Sequence, residues 1–417
     1  MNKINKDTFC YLPFGSVYVE PTGRIHPCCI AHPFEESINW KDFKSVDELV
    51  NSAPYKRIRK QLINGEKPIE CEQCFVHKNL HREGSNKEFA HFIEEEELYN
   101  EDYSVNKVTY VDLRLSNLCN FACRMCFHGL SSTWYEFWGY IQGKPEYINE
   151  NTKFLVADNE GIGKFSEKNI DSIKKVYLAG GEPFIAPHTF ELLERFTDEQ
   201  ASTVDILINT NLSTLTYKGE SILNKLIRFK NIRIACSCDG FGEIGEYQRP
   251  GFNSDRFFKN LKTLVEFGSE HPNFYVEIDY TVSSINVFHT FDFIEYLGEN
   301  YIDRNRIRLH AVVYPIYLSP SFFTDETVNS IIKLYRNKLE YYKNTDCDNL
   351  AASIGIFIKY LEDSFSEDAR NQMEKIHRCM DLSIPETIRR FDEVHNTDYR
   401  TVCPWLQEII DRKKNTI

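Results

Sequence analysis

Three cysteines lie close together in the stretch LSNLCNFACRMCFHG, where gaps of three and two residues separate Cys119, Cys123 and Cys126. Iron–sulfur clusters and tetrahedral zinc normally take four protein ligands, and no fourth cysteine follows within reach of this loop. Three thiolates can hold three irons of a 4Fe-4S cubane and leave the fourth iron open to a non-protein ligand. An open position makes a metal catalytic; a zinc knuckle or a chance cluster of buried cysteines is the alternative.

A second cysteine set lies nearer the amino terminus, where Cys10 and Cys28 are followed much later by the CxxC pair Cys71 and Cys74. Four thiolates can close a cluster completely, although a structural zinc site would use the same residues. Cys29 is adjacent to Cys28 and could replace it as a ligand. The alternating residues of VYVEPTGRIHPC and its central Thr-Gly predict a β-hairpin between the first two cysteines.

The elements that must position these cysteines are short β-branched runs that alternate with amphipathic helical patterns. Six strands with helical crossovers predict an α/β fold with a parallel sheet. The predicted strands are VTYVDLRLS (108–116), KKVYLAGG (174–181), TVDILINTN (203–211), NIRIACSCDG (231–240), FYVEIDYTVS (274–283) and RIRLHAVV (306–313). The predicted helices between them include HTFELLERF (188–196), KGESILNKLIRF (218–229), SDRFFKNLKTLVEFG (254–268) and FHTFDFIEYLGE (288–299).

The carboxyl ends of the predicted strands carry SNLC, GGEP, NTN, SCDG and TVSS, which are polar and rich in glycine and cysteine. Ligands of α/β sheets collect at this edge. Glycines let the backbone approach a ligand, and a carboxylate such as that of Glu182 pairs with an ammonium group. The sequence therefore predicts a ligand site that begins at the three-cysteine loop.

The loop and the strand ends that follow it resemble the signature elements of the radical S-adenosylmethionine (SAM) enzymes over roughly residues 105–315. The resemblance implies a partial (β/α)6 barrel in which Cys119, Cys123 and Cys126 hold a 4Fe-4S cluster whose open iron binds SAM. It also implies that Gly180, Gly181 and Glu182 of GGEP hold the amino group of SAM. The other implied SAM contacts are Asn209 and Asn211 toward the ribose, Ser237 and Asp239 as hydroxyl and carboxylate contacts, Arg249 on the carboxylate, and the backbone at Val282 on the adenine.

The amino-terminal cysteine set resembles the opening of SPASM and twitch domains, which implies an auxiliary 4Fe-4S cluster held by Cys10, Cys28, Cys71 and Cys74. A full SPASM domain continues with further cysteines, whereas FVHKNLHREG follows the CxxC pair here, so the match is to the one-cluster twitch form. The module also precedes the barrel instead of following it. This order resembles a subgroup of twitch-containing radical SAM proteins.

The composition favours a globular protein without a membrane span, since 42% of its 417 residues are hydrophobic, the mean hydropathy is -0.44 and no apolar run approaches a spanning length. The start MNKINKDTFCYLPFG lacks the apolar stretch and cleavage site of a secretory signal, so we expect a cytoplasmic protein whose thirteen cysteines are not a disulfide framework. The net charge of -13 disfavours a nucleic acid polymer as a partner, and no membrane partner is expected.

We expect three segments: an auxiliary-cluster module over 1–104, the barrel over 105–315 and a helical segment over 316–417 that closes the active site. The acidic run HFIEEEELYNEDYSVN, residues 91–106, is interpreted as a solvated helix end or linker between the first two. Cys347, Cys379 and Cys403 are isolated cysteines without a clear role. Cys403 is a candidate thiol for returning a hydrogen atom to a substrate radical, although a buried free thiol is the simpler interpretation.

The function implied by the resemblance is reductive cleavage of SAM to a 5′-deoxyadenosyl radical, which abstracts a hydrogen atom from a small molecule or peptide. An auxiliary cluster that accepts an electron would permit oxidation of that substrate, and a flavodoxin- or ferredoxin-type protein would be the electron donor. A redox-neutral isomerase or epimerase and a nucleotide-modifying enzyme are alternatives, as is a non-catalytic metal-binding or redox-sensing protein. The identity of the substrate does not follow from the sequence.

Overall fold

The structure is a computed structural model that describes residues 7–76, 98–142, 161–366, 369 and 382–411. These residues form two compact units. The first comprises the described parts of 1–118, 154–209 and 216–233, and the second comprises those of 119–153, 210–215 and 234–417. Within the described ranges, no helix combines the length and apolar character needed to cross a membrane.

Strands and helices alternate through most of the described chain, as the sequence predicts. The strands are β1 (Ser16–Val19), β2 (Ile25–His26), β3 (Tyr110–Leu113), β4 (Lys175–Leu178), β5 (Asp205–Thr210), β6 (Thr216–Tyr217), β7 (Glu220–Ser221), β8 (Asn231–Ser237), β9 (Phe274–Val282) and β10 (Ile307–Ala311). The helices are α1 (Leu12–Gly15), α2 (Val46–Val50), α3 (Ala53–Ile63), α4 (Glu72–Val76), α5 (Tyr135–Gln142), α6 (Glu167–Ser172), α7 (Pro187–Glu194), α8 (Asp198–Ala201), α9 (Ile222–Leu226), α10 (Gly242–Gln248), α11 (Ser254–Glu270), α12 (Thr290–Asn300), α13 (Asp325–Lys343), α14 (Asp348–Asp363), α15 (Ile384–His395), α16 (Tyr399–Val402) and α17 (Leu406–Asp411).

The first unit contains five sheet strands in the order β2–β1–β3–β4–β5. β3 pairs in parallel with β4, and β4 pairs in parallel with β5. In this register Val111, Val176 and Ile206 lie side by side, and all three are buried. These β-branched side chains form one apolar layer, because strand residues two apart project to the same face.

The predicted hairpin is formed by β1 and β2, which pair antiparallel with Tyr18 opposite His26. Gly23 in the connection has a φ of +79°, and a β-carbon there would lie 2.6 Å from the side-chain oxygen of Asn39, so glycine is required. The hairpin also joins the main sheet, since β1 pairs in parallel with β3 and places Val17 beside Val111. The amino-terminal module thus extends the sheet that begins the predicted barrel.

The second unit contains the end of β8 followed by β9 and β10 in neighbouring positions, and β9 pairs in parallel with β10. Ile278 of β9 lies beside Ile307 of β10, and both are fully buried. Helices α13 and α14 pack on each other, and α14 packs on β10. All six predicted strands are present as β3, β4, β5, β8, β9 and β10, so the α/β class with a mainly parallel sheet and a helical carboxyl-terminal region is confirmed.

One local prediction was wrong. Lys218 and Gly219 have φ values of +49° and +84° and form a two-residue turn between β6 and β7, so helix α9 begins only at Ile222.

The acidic run begins outside the described residues, and in its described part Glu101 and Asp102 are exposed, as predicted for a solvated segment. There Val105 is buried, and its N–H and carbonyl bond the side chain of Asn51 at 2.7 and 3.1 Å.

Candidate functional site

The three-cysteine loop follows β3 and is fixed through its backbone. The hydroxyl of Thr133 donates to the carbonyl of Cys119 at 2.6 Å, and the indole N–H of Trp134 donates to the carbonyl of Cys123 at 2.9 Å. The N–H of Cys126 donates to the same Cys123 carbonyl at 2.9 Å. These hydrogen bonds hold the loop by its main chain, so the three half-buried thiols remain available as ligands.

A second backbone contact brings Arg249 to this loop. The N–H of Ala122 donates to the backbone carbonyl of Pro250 at 2.8 Å, and the N–H of Arg124 donates to the backbone carbonyl of Gln248 at 2.9 Å. Pro250 and Gln248 flank Arg249, which follows α10. The pairing therefore fixes the position of Arg249 beside the loop through main-chain atoms.

Two of the residues predicted to contact SAM reach cysteine sulfurs of the loop. Nη1 of Arg249 lies 3.8 Å from Sγ of Cys123, and Nδ2 of Asn211 lies 4.0 Å from Sγ of Cys119. Asn211 also donates to the side-chain oxygen of Asn120 at 2.9 Å. Burial raises the pKa of Cys123, but the Arg249 guanidinium opposes this shift by favouring the thiolate. A cation and N–H donors near sulfur suit an anionic iron–thiolate cluster.

Asp239 is fully buried and orients Arg249. One carboxylate oxygen accepts from Nε of Arg249 at 2.5 Å, and the other accepts from the N–H of Thr281 at 2.8 Å. The backbone carbonyl of Asp239 accepts from Nδ2 of Asn286 at 3.0 Å. Asp239 thus holds Arg249 through one carboxylate oxygen, and its direct contact with SAM stays a prediction.

The GGEP element follows β4 in the first unit. Gly180 and Gly181 have φ values of +79° and +58°, and the N–H of Glu182 donates to the carbonyl of Leu118 at 2.7 Å. Leu118 immediately precedes the three-cysteine loop. The Glu182 side chain is buried and accepts from the N–H of Phe184 at 3.0 Å. The element is therefore tied to the residue from which the loop departs.

The remaining predicted SAM contacts lie at strand ends. Asn209 is half-buried near the end of β5, and Ser237 is half-buried as the last residue of β8. Val282 is the last residue of β9 and is fully buried, and its carbonyl accepts from the N–H of Val312 at 3.0 Å. The roles of these residues stay predictions.

The amino-terminal cysteines come from three places in the first unit: Cys10 precedes α1, Cys28 follows β2, and Cys71 and Cys74 lie just before and within α4. All four thiols are half-buried. Burial raises the pKa of Cys71, and the nearby Cys10 and Cys74 raise it further. The role of the four thiols as ligands of one cluster stays a prediction.

Glu70 links the chain segments that carry Cys28 and Cys71. Its buried carboxylate pairs with Nη2 of Arg57 at 2.5 Å and accepts from the N–H of Glu35 at 3.3 Å. Its carbonyl accepts from the N–H of His32 at 2.8 Å. The segment after Cys28 is thereby held against the segment that leads into the CxxC pair.

The choice between Cys28 and Cys29 has a structural basis. Cys28 is half-buried, and besides burial and the adjacent Cys29, its pKa is raised by Cys10 and Cys71, two of the predicted ligands. Cys29 is an exposed residue. Desolvation of its thiol is the largest cause that raises its pKa to about 11, and the next largest effects on this pKa come from Asp112, which raises it, and Arg114, which lowers it. This difference favours Cys28 as the ligand.

The isolated cysteines are not part of either set in the described chain. Cys403 is fully buried, and burial raises its pKa to about 12. Cys347 is buried at the start of α14, whereas Cys379 lies outside the described residues. Within the described ranges, no three His, Cys, Asp or Glu side chains converge closely enough to hold a single metal ion.

Sequence reasoning missed Arg124, which lies between two cysteines of the loop and is almost fully buried. Its guanidinium donates to the Tyr247 carbonyl at 2.7 Å and to Asp392 and Thr397 at 3.0 Å each. The guanidinium carbon lies 3.7 Å from the Tyr247 ring centre and 4.9 Å from that of Phe391. Arg124 therefore links the three-cysteine loop to helix α15 and to the turn after this helix.

The comparisons with known families agree with this arrangement. Residues 113–285 match the radical SAM superfamily, and residues 10–75 match SPASM, an iron-sulfur cluster-binding domain. These two regions define an iron–sulfur enzyme that uses SAM. The chain therefore contains a region similar to the radical SAM superfamily, preceded by a region similar to SPASM domains. Its cofactors are SAM, the 4Fe-4S cluster that binds SAM and an auxiliary 4Fe-4S cluster.

Individual relatives are distant. The chain is 24% identical over 354 residues to the radical SAM cyclopropyl synthase TigE of Paramaledivibacter caminithermalis, covering 82% of this chain and 68% of that protein. A structure of anSMEcpe with bound AdoMet and the Cp18Cys peptide is 16% identical with a TM-score of 0.36, covering 57% of this chain and 62% of that one. A structure of Streptococcus suis SuiB bound to S-adenosylmethionine is 13% identical with a TM-score of 0.35, covering 82% of this chain and 70% of that one. The chain thus spans less than two thirds of anSMEcpe.

Gly181→Ala should weaken SAM binding and reduce the iron content of the three-cysteine site. The new β-carbon would lie 2.4 Å from the Leu118 carbonyl oxygen in a left-handed conformation, so the backbone before the loop must shift. Iron analysis and equilibrium dialysis with labelled SAM measure the effect. Gly163→Ala is the matched control, since its new β-carbon would have no neighbouring atom within 4 Å. Unchanged SAM affinity in Gly181→Ala would contradict this role.

Asp392→Asn should destabilise the three-cysteine loop, because the substitution removes the carboxylate that pairs with the buried guanidinium of Arg124. We expect a stability loss on the order of 3 kcal/mol and less iron in the three-cysteine site. Thermal unfolding and electron paramagnetic resonance (EPR) of the reduced protein measure both, with the auxiliary cluster as the internal reference. Asp398→Asn is the control, because Asp398 pairs with the exposed Arg400. Equal behaviour of the two variants would show that Arg124 does not depend on Asp392.

Proposed function

We propose that this radical SAM enzyme oxidises a small molecule or a peptide after removing a hydrogen atom from one of its C–H bonds. Cys119, Cys123 and Cys126 would hold the SAM-binding cluster, and Cys10, Cys28, Cys71 and Cys74 would hold the auxiliary cluster. When bound, the SAM-ligated cluster supplies the electron that cleaves SAM to methionine and a 5′-deoxyadenosyl radical. A flavodoxin- or ferredoxin-type protein would deliver that electron.

The observation that carries the proposal is the contrast between the two cysteine sets. One loop offers three thiols with Arg249 and Asn211 close to two of the sulfurs, and the other set offers four thiols. Arg249 is charged and held by Asp239, so it can pair with the carboxylate of SAM. The backbone of Gly180 and Gly181 and the carboxylate of Glu182 would hold its amino group. Asn209, Ser237 and the backbone at Val282 would complete the contacts.

Among the described residues, the environment of the isolated thiols of Cys347 and Cys403 favours oxidation over a redox-neutral isomerisation. Returning a hydrogen atom to a substrate radical requires a thiol that the substrate can reach, whereas Cys403 and Cys347 are buried. A complete set of four thiolates supports an electron acceptor instead. Ring closure between two carbons with loss of two hydrogens is also a two-electron oxidation, so a cyclopropane-forming reaction like that named for the relative TigE is compatible with this proposal.

Anaerobic reconstitution tests the assignment of the two sets. The wild-type protein should bind about eight irons and eight sulfides per chain and form 5′-deoxyadenosine from SAM only with a reductant. Replacing Cys119, Cys123 and Cys126 by alanine should leave about four irons and abolish 5′-deoxyadenosine. Replacing Cys71 and Cys74 should also leave about four irons but retain SAM cleavage.

Two single variants serve as controls for this experiment. Cys347→Ala should keep both clusters, and Cys29→Ala should keep the auxiliary cluster that Cys28→Ala loses. A wild-type protein that binds zinc at both sites and does not cleave SAM would overturn the proposed function. Loss of auxiliary iron in Cys29→Ala, with retention in Cys28→Ala, would reverse the choice between these two residues.

A further inference from the structure

One face of the sheet in the first unit carries charged and tyrosine side chains. Val176 and Leu178 of β4 are buried, whereas the alternating Lys175 and Tyr177 are half-buried. A parallel sheet covered by helices on both faces has apolar residues on both, so this second face is not built for helix packing. In the strand register, the side chains that share this face, here termed the charged face, are Ser16, Tyr18, Tyr110, Asp112, Lys175, Tyr177, Asp205 and Leu207.

Arg114 lies at the carboxyl end of this face, directly after β3. Its guanidinium carbon is 5.0 Å from the ring centre of Tyr18 and 5.6 Å from that of Tyr177. Gly180 leaves room for the Arg114 side chain, since a β-carbon there would lie 2.7 Å from Cβ of Arg114. The two rings and the glycine restrict the guanidinium to one position, so little entropy would be lost on binding a ligand.

The protein uses only part of the hydrogen-bonding capacity of Arg114. Asp112 accepts from Nε at 3.2 Å and from Nη2 at 3.3 Å, whereas a guanidinium has five N–H donors. Among the described residues, no other acceptor bonds this guanidinium, although its side chain is only 18% exposed.

Donors on a shielded cation are costly when they lack acceptors, and a planar guanidinium matches the oxygens of carboxylates and phosphates. We propose that Arg114 binds an oxyanion of the substrate, either a carboxylate or a phosphate, through the N–H donors that Asp112 leaves unused. This inference rests on the proposed function, because the ligand is the molecule that loses the hydrogen atom. Arg114 contacts Gly180 of the GGEP element and Tyr18 of the hairpin, so the oxyanion would anchor the substrate between the SAM motif and the auxiliary module's hairpin.

Calorimetric titration of the reconstituted, SAM-loaded enzyme at low salt tests the site, with inorganic phosphate and acetate as separate probes. Arg114→Gln should weaken binding of the preferred anion about tenfold or more, because charge-assisted hydrogen bonds are lost. Asp112→Asn should strengthen it, because the competing carboxylate is removed. Lys175→Gln is the matched control on the same face and should bind like the wild type. Tighter phosphate binding would indicate a phosphorylated substrate, and tighter acetate binding would indicate a carboxylate.

A purely structural Arg114–Asp112 pair would give a different result, because Asp112→Asn would then weaken binding or leave it unchanged. The inference would be overturned by either of these results for Asp112→Asn. It would also be overturned if Arg114→Gln bound the anion with wild-type affinity, or if the wild-type protein bound neither anion. If Arg114→Gln does not fold, Arg114→Lys replaces it and should retain phosphate binding better than acetate binding. SAM cleavage measured on the same samples separates the two proposals. If SAM is cleaved but anion binding does not depend on Arg114, only the oxyanion site is contradicted. If the anion binds but SAM is not cleaved, only the proposed function is contradicted.

Discussion

The buried ion pair between Asp239 and Arg249 is the interaction on which the arrangement of the second unit depends. Asp239 receives the Arg249 guanidinium on one oxygen and the N–H of Thr281 on the other, and Arg249 reaches the sulfur of Cys123. Burying both charges costs free energy that their attraction alone rarely offsets, so the additional N–H donor matters. The pair links the end of β8, the start of the segment after α10, strand β9 and the cysteine loop. A defect in any one of these elements would move the cation that faces the cluster.

The carboxyl-terminal segment supports the same loop from another side. Arg124 is held by Asp392 and Thr397, and the indole of Trp405 donates to the carbonyl of Ser284 in the loop after β9 at 2.7 Å. These contacts involve the three-cysteine loop and the residues after a strand end, so the carboxyl-terminal segment stabilises both. A lid over the substrate was the role expected from its position in the sequence, and that role remains a prediction.

The sequence predicted the elements that depend on local patterns and missed those that depend on distant partners. Short β-branched runs located the six predicted strands, and residue alternation with Thr-Gly located the hairpin, because these signals lie within a few residues. The turn at Lys218 and Gly219 is equally local but was obscured by the helical pattern that follows it. The Arg124–Asp392 pair joins residues 268 positions apart, and the pairing of β1 with β3 also crosses a long intervening segment. The cysteine spacing predicted the ligand sets, whereas Arg114 and Asp112 resembled ordinary strand residues until their shared face was known.

Mössbauer spectroscopy of the protein reconstituted with iron-57, with and without SAM, tests the central claim most directly. In the proposed assignment, the three-cysteine loop would leave one iron without a protein ligand, and the amino-terminal set would leave none. SAM should therefore change the isomer shift of about one iron in eight, toward a higher coordination number, and leave the auxiliary cluster unchanged. Identical spectra with and without SAM, or a change in the irons of the auxiliary set, would contradict the account.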